Sequence, residues 1–101
     1  MKIVYRPLAV EDIISTADYI KDKLKNPQAA EHFKERMLNA ISLLKDNPNM
    51  GAELAKKYDT LNNNYRYIIV NNQIVFYEII DDTIEIVRVL DGRTDYLKYL
   101  L

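Results

Sequence analysis

The feature that most constrains this chain is a change of hydrophobic period near Tyr65. Before it, apolar residues recur at three and four, as on one face of a helix; after it, they follow a period of two, as in strands. The strand-like runs are "YRYIIV", "QIVFYEII" and "TIEIVRVL". "NN" and "DD" separate them, and both pairs are turn chemistry suited to hairpins. The second half therefore reads as an antiparallel meander.

The first half opens with "MKIVYRP", a short alternating strand ended by Pro7. "AVEDIISTADYIKDKL" reads as a helix with Val10, Ile13, Ala17, Ile20 and Leu24 on one stripe. Glu11 and Asp12 fall in its first turn, and Lys21, Lys23 and Lys25 in its last, as the helix dipole favours. Asn26 caps a second helix with Pro27 at its first position. That helix runs to about Asp46, with Ala30, Phe33, Met37, Ile41 and Leu44 on one face. The tight break makes the pair an antiparallel hairpin, packed through Ile13, Ile20, Phe33, Met37, Ile41 and Leu44. "NPNMG" stops it. "AELAKKYDTLNNN" reads as an exposed connection with room for a short helical turn. The order β-α-α-β-β-β predicts an α+β fold of two layers, a helical hairpin on a mostly antiparallel sheet. The length, 101 residues, fits one domain spanning 1–101.

Two of the strands are apolar on both faces. In "QIVFYEII", Gln73, Val75, Tyr77 and Ile79 alternate with Ile74, Phe76, Glu78 and Ile80. In "IEIVRVL", Ile84, Ile86, Arg88 and Leu90 alternate with Glu85, Val87 and Val89. A sheet with one solvated face alternates more cleanly. The second face is therefore expected to be covered by the C-terminal tail, a second copy or a partner. Arg66, Arg88 and Arg93 are placed to converge near that face, where arginine suits phosphate or carboxylate. The structural alternative pairs Arg88 with Glu78 or Glu85 and Arg93 with Asp95. Of eight tyrosines, Tyr65, Tyr67, Tyr77, Tyr96 and Tyr99 lie in the second half. Beside arginines they can anchor an interface, although packing explains most of them.

Composition removes several chemistries. There is no cysteine and one histidine, which excludes disulfides, thiolate metal sites and multi-histidine centres. No metal or other cofactor is expected. His32, beside Gln28, Glu35 and Arg36, reads as helix surface, as do Glu11, Asp12, Asp18 and Asp22. No nucleophile elbow, phosphate loop or zinc pattern is present. The net charge of −1 lacks the basic footprint that nucleic acid demands, and argues against direct DNA binding by this chain alone. No run is long and apolar enough for a signal peptide or membrane span, so the cytoplasm is the expected compartment.

With "VEDIISTADYI" early, "NPQAAEHF" opening the second helix, "LLKDNPNMG" ending it and "YRYIIVNNQIVFYEIIDDTIEIVRVLDGRTDYLKYLL" at the end, the chain resembles the RelE/ParE toxin superfamily of bacterial toxin–antitoxin systems. The resemblance covers nearly the whole chain. It implies a small cytoplasmic toxin neutralised by a neighbouring antitoxin that folds as it wraps the toxin. It implies one of two targets: ribosome-bound mRNA, cut by RelE-like members, or DNA gyrase, poisoned by ParE-like members. In the ribonuclease branch, Arg66, Arg93 and Tyr96 would form the catalytic set. Ile74 stands where RelE-like enzymes tend to place an arginine, and Asp91 where many relatives of both branches carry a histidine; with the acidic balance of the chain, both departures remove positive charge that a nuclease would use. The resemblance thus points to a ParE-like inhibitor, with Tyr65, Arg66, Tyr77, Arg88, Arg93 and Tyr96 contacting target or antitoxin; the RelE-like mRNA interferase is the alternative.

Overall fold

The computed structural model describes residues 1–59, 61 and 63–100. Strand β1 (Lys2–Tyr5) leads into helix α1 (Pro7–Asp22). Pro7 does not merely end the strand. It occupies the first helical position, where its missing N–H costs nothing, so α1 begins two residues before the apolar pattern suggests. Glu11 and Asp12 consequently sit beyond the first turn, and Lys23 and Lys25 fall outside the helix. The buried residues of α1 are Ala9, Ile13 and Ala17. Val10 and Leu24, expected on the stripe, are exposed. Ala9, Ile13 and Ala17 recur every four residues, and the small alanines at either end of this row let the helix lie close on the sheet, which rotates the buried face by one position.

Helix α2 (Pro27–Ser42) starts as its sequence predicts: the Asn26 side-chain oxygen accepts from the Ala29 N–H at 3.1 Å. A 3₁₀ turn, Leu43–Lys45, ends it. Met37, Ile41 and Leu44 are fully buried, whereas Phe33 and Ile20 are half-buried at the margin of the hairpin. The unassigned connection holds strand β2 (Ala52–Glu53) and one helical turn, α3 (Leu54–Lys57). The meander follows as β3 (Arg66–Val70), β4 (Gln73–Ile80) and β5 (Thr83–Asp91), and α4 (Leu97–Leu100) closes the described chain.

The sheet order is β1-β5-β4-β3-β2, with β1 parallel to β5 and the other pairs antiparallel. Both long hairpins turn in two residues, between the pairs Val70–Gln73 and Ile80–Thr83. Asn71 and Asp81 take left-handed φ values of 57° and 54° there, which short polar side chains tolerate best. The α+β architecture matches expectation, with two short elements added.

One correction concerns the faces of β5. Phe76 pairs with Arg88 and Tyr77 with Ile86, so Val87 is an extra residue in the ladder. A bulge of this kind reverses the alternation beyond it. Val89 therefore joins Ile84 and Ile86 beneath the helices, while Leu90 lies with Val87 on the opposite side.

Candidate functional site

The helix-covered face is a conventional core of Val75, Tyr77, Ile84 and Ile86 against Ile13, Met37 and Ile41. The second face carries a smaller core: Leu54, Ile74, Phe76, Val87 and Leu90, rimmed by tyrosines. Its cover comes from the chain itself. α3 inserts Leu54, which is 1% exposed, and the tail packs Tyr96 and Leu100 on the strands. The Tyr96 ring lies 5.2 Å from that of Phe76, and its hydroxyl meets the Tyr58 hydroxyl at 2.8 Å.

The charged side chains around this face follow a different plan from the expected one. Glu78 and Glu85 are directly opposite each other on β4 and β5, an unfavourable pair of like charges. Arg6 lies between them and bonds both, with Nε 2.9 Å from Glu85. Burial pulls the Arg6 guanidinium down, but the bonds to Glu85 and Glu78 outweigh it and hold its pKa above the ordinary value.

Arg88, expected to use those glutamates, instead makes a two-pronged bond to Asp12, both distances being 2.8 Å. Asp12 is thus no helix-surface residue. β1 pairs with β5 only as far as Ile86, so the outer edge of β5 is free beyond it. The Asp12 carboxylate fills that gap, accepting the Val89 N–H at 2.9 Å as well as the guanidinium. Asp12 holds the Arg88 pKa above its usual value, and the guanidinium lies 5.4 Å from the Tyr99 ring. Sequence reasoning missed this pairing because the residues are 76 apart and no periodicity links them.

Arg93 pairs with Asp91 rather than Asp95. Its Nη2 is 2.8 Å from that carboxylate, and its backbone N–H donates to it as well. Those bonds push the Asp91 pKa down to about 2.

Two of the nominated residues lie on the helix-side face of the sheet. Tyr77 is completely buried, so it cannot contact a partner. Its hydroxyl accepts from the Gly51 N–H at 2.9 Å and donates to the Pro48 carbonyl at 2.8 Å. Arg66 shares this side of the sheet, because it pairs across the ladder with Tyr77. Its Nη1 donates to the Gly51 carbonyl at 2.7 Å. Together they pin the "NPNMG" turn. A Cβ on Gly51 would lie 2.6 Å from the Tyr77 hydroxyl, so only glycine fits there.

Arg66 and Tyr96 therefore stand on opposite faces of the sheet. Arg93 and Tyr96 do come together, in a depression of about 320 Å³ over Ile69, Ile74 and Gly92. Its other wall is Lys57, which sequence reasoning passed over inside an indistinct connection. The only available signal was its place beside a tyrosine in "KKY". Tyr65 is half-buried at the rim of the second core. His32 is exposed on α2, and no cluster of metal-ligating side chains occurs among the described residues. No helix among them is long and apolar enough to cross a membrane.

The fold and this second face define a small two-layer α+β domain that presents a tyrosine-rimmed, partly self-covered sheet. The family model for the ParE toxin of type II toxin–antitoxin system parDE matches residues 3–96, and the chain belongs to that family. A solved chain described as the chromosomal ParDE TA system from P. aeruginosa has the same fold, with a TM-score of 0.75. Sequence identity to it is 16%, and the match covers 90% of this chain and 95% of that one. No curated protein matches the sequence significantly.

Proposed function

We propose that this ParE-family chain inhibits growth by gripping a protein target, DNA gyrase being the first candidate, and that a cognate antitoxin neutralises it. The observation that carries this reading is the separation of Arg66 from Arg93 and Tyr96. A ribonuclease site needs cations and a proton-transfer group within reach of one scissile phosphate. Here Arg66 is bonded to the Gly51 turn on the opposite face of the sheet, and the Arg93 charge is offset by Asp91.

Support for the antitoxin lies elsewhere on the surface. Leu43, Met50 and Ile69 are 55%, 47% and 66% exposed, and they line one open groove of about 400 Å³ between α2 and β3. An amphipathic segment that folds as it binds matches such a groove. Hydrogen exchange on the toxin alone and with its antitoxin should show added protection within Tyr65–Leu90; equal protection in both states would count against this.

The interferase alternative retains one observation, that Lys57, Arg93 and Tyr96 line a single depression. Inducible expression separates the two readings. Gyrase-linked DNA breaks with intact transcripts are expected. Cleavage of ribosome-bound mRNA by the unmodified protein, lost in Arg93→Ala, would install the alternative.

A further inference from the structure

Lys57 is held in an unusual way. Its ammonium lies 5.6 Å from the ring centroids of both Tyr58 and Tyr67. The ammonium stays exposed to solvent, and the Tyr96 phenol, bonded to that of Tyr58, lies beside it and raises the Lys57 pKa. Neighbouring Lys56 is tied to Glu53 at 2.8 Å, whereas Lys57 makes no ion pair among the described residues. Aromatic faces attract a cation and orient it, but they do not neutralise it. The result is a positioned, uncompensated ammonium at the wall of the depression. The floor is apolar, from Ile69 and Ile74, and Asn71, Asn72 and Tyr96 supply further donors at the rim.

The charge in and around the depression decides what fits. A nucleic-acid strand presents a phosphate at every nucleotide and is held by several cations in series. Among the described residues that line it, Lys57 is the cation without an ion pair; Arg93 already faces Asp91, and the chain as a whole carries a net charge of −1. One carboxylate matches one ammonium, and nearby hydroxyl and amide donors can satisfy its remaining lone pairs.

We propose that the Lys57–Tyr96–Arg93 depression receives a single aspartate or glutamate side chain of the protein target. The assignment rests on the reading of this chain as a target-binding toxin, so the test has one arm that needs no toxicity. In that arm the isolated protein, labelled on lysine, is titrated with N-acetyl-aspartate amide and, separately, with the dinucleotide UpU at constant ionic strength. The side-chain signals of Lys57 should shift saturably with the aspartate probe, ahead of every other lysine. Uniform, unsaturable shifts of all lysines overturn the pocket. Tighter saturation by UpU overturns the choice of a carboxylate.

The second arm is growth arrest on inducible expression. Lys57→Gln should raise the toxin level needed for arrest on the order of tenfold or more, as loss of an interface anchor does. Lys57→Arg should restore much of the effect, and both variants should keep the melting temperature. Full potency in a folded Lys57→Gln protein overturns the assignment to the target, as does loss of antitoxin binding with potency kept. An unmodified protein without effect on growth overturns the toxin reading instead and leaves the titration to judge the pocket.

Discussion

The two faces of one sheet behave as two different proteins. Beneath the helices, Val75, Tyr77, Ile84 and Ile86 are at 0% exposure and every neighbour is apolar or bonded. On the other face, Phe76 is equally buried, but its cover is one helical turn on each side, α3 and α4. Tyrosines there keep a hydroxyl at the surface, and Lys57 keeps its charge. A helix hairpin of two 16-residue helices cannot be displaced without unfolding the domain. Two four-residue turns contribute far less buried area and leave polar groups at the rim. One face specifies the fold, and the other is free to carry recognition.

The largest effects should come from the first face. Ile41→Ala, at 0% exposure between α2 and the sheet, is expected to cost about 2–5 kcal/mol. Leu100→Ala, on the edge of the second core, should cost well under half of that. Equal shifts of the denaturant midpoint in the two variants would show that both faces hold the fold alike. Next is the pairing that ties the two layers together. Asp12→Ala removes both bonds to Arg88 and the cap on Val89, and the side chains are only 13% and 15% exposed. A loss of about 3 kcal/mol is expected, in line with a mostly buried pair deprived of one partner. Asp12→Ala with Arg88→Met should recover part of it. No recovery would show that the Val89 cap, not the ion pair, holds α1 to β5.

Much of this contrast was legible in the sequence. The change of period at Tyr65 placed the layers, and the doubly apolar strands announced a second covered face. Sequence pattern is silent where geometry depends on a single inserted residue or on distant partners. The Val87 bulge moves Val89 and Leu90 to the faces opposite those that strict alternation assigns them, and a period of two cannot register one extra residue. Arg6 took the glutamates meant for Arg88 because β1 lies beside β5, a parallel neighbour that a meander does not reveal. The family resemblance grouped Arg66 with Tyr96 under the ribonuclease alternative. The ladder shows instead that Arg66 shares its face with Tyr77, which was itself too buried to touch a partner. Lys57 carries no signal of its own because its setting depends on how the connection folds back on Tyr67 and on Tyr96 of the tail, which no local pattern reveals.

A smaller effect sharpens the role of the two central tyrosines. Tyr77→Phe removes one hydroxyl and leaves the Gly51 N–H and the Pro48 carbonyl without it, which should cost about 1–3 kcal/mol. Its consequence should be looser packing of the turn at residues 47–51, visible as faster hydrogen exchange there. Tyr96→Phe, on the other face, should leave the melting temperature nearly unchanged and weaken growth arrest. If the two substitutions exchanged their consequences, the division of labour between the faces would be wrong.

The smallest expected effect lies at the edge of the recognition face, where Asp91 meets Arg93. The Asp91 pKa is held at about 2, below the ordinary carboxylate value, chiefly by the Arg93 guanidinium and then by its backbone N–H. A depressed carboxylate stabilises the folded state above its unfolded pKa of roughly 4, and that stability is lost as the pH falls toward 2. Because the Arg93 side chain is 83% exposed, solvent and salt screen the pair, and little of the shift survives as net stability. Asp91→Asn should therefore leave the melting temperature at pH 7 almost unchanged and slightly flatten its decline between about pH 4 and pH 2. The same substitution frees the Arg93 charge beside the Lys57 depression. If that depression takes one carboxylate, the variant should bind N-acetyl-aspartate amide more tightly than the unmodified protein, and more so at low salt. A steep loss of stability at neutral pH would instead make the Asp91–Arg93 pair part of the scaffold, and the line between the two faces would have to be redrawn at the end of β5.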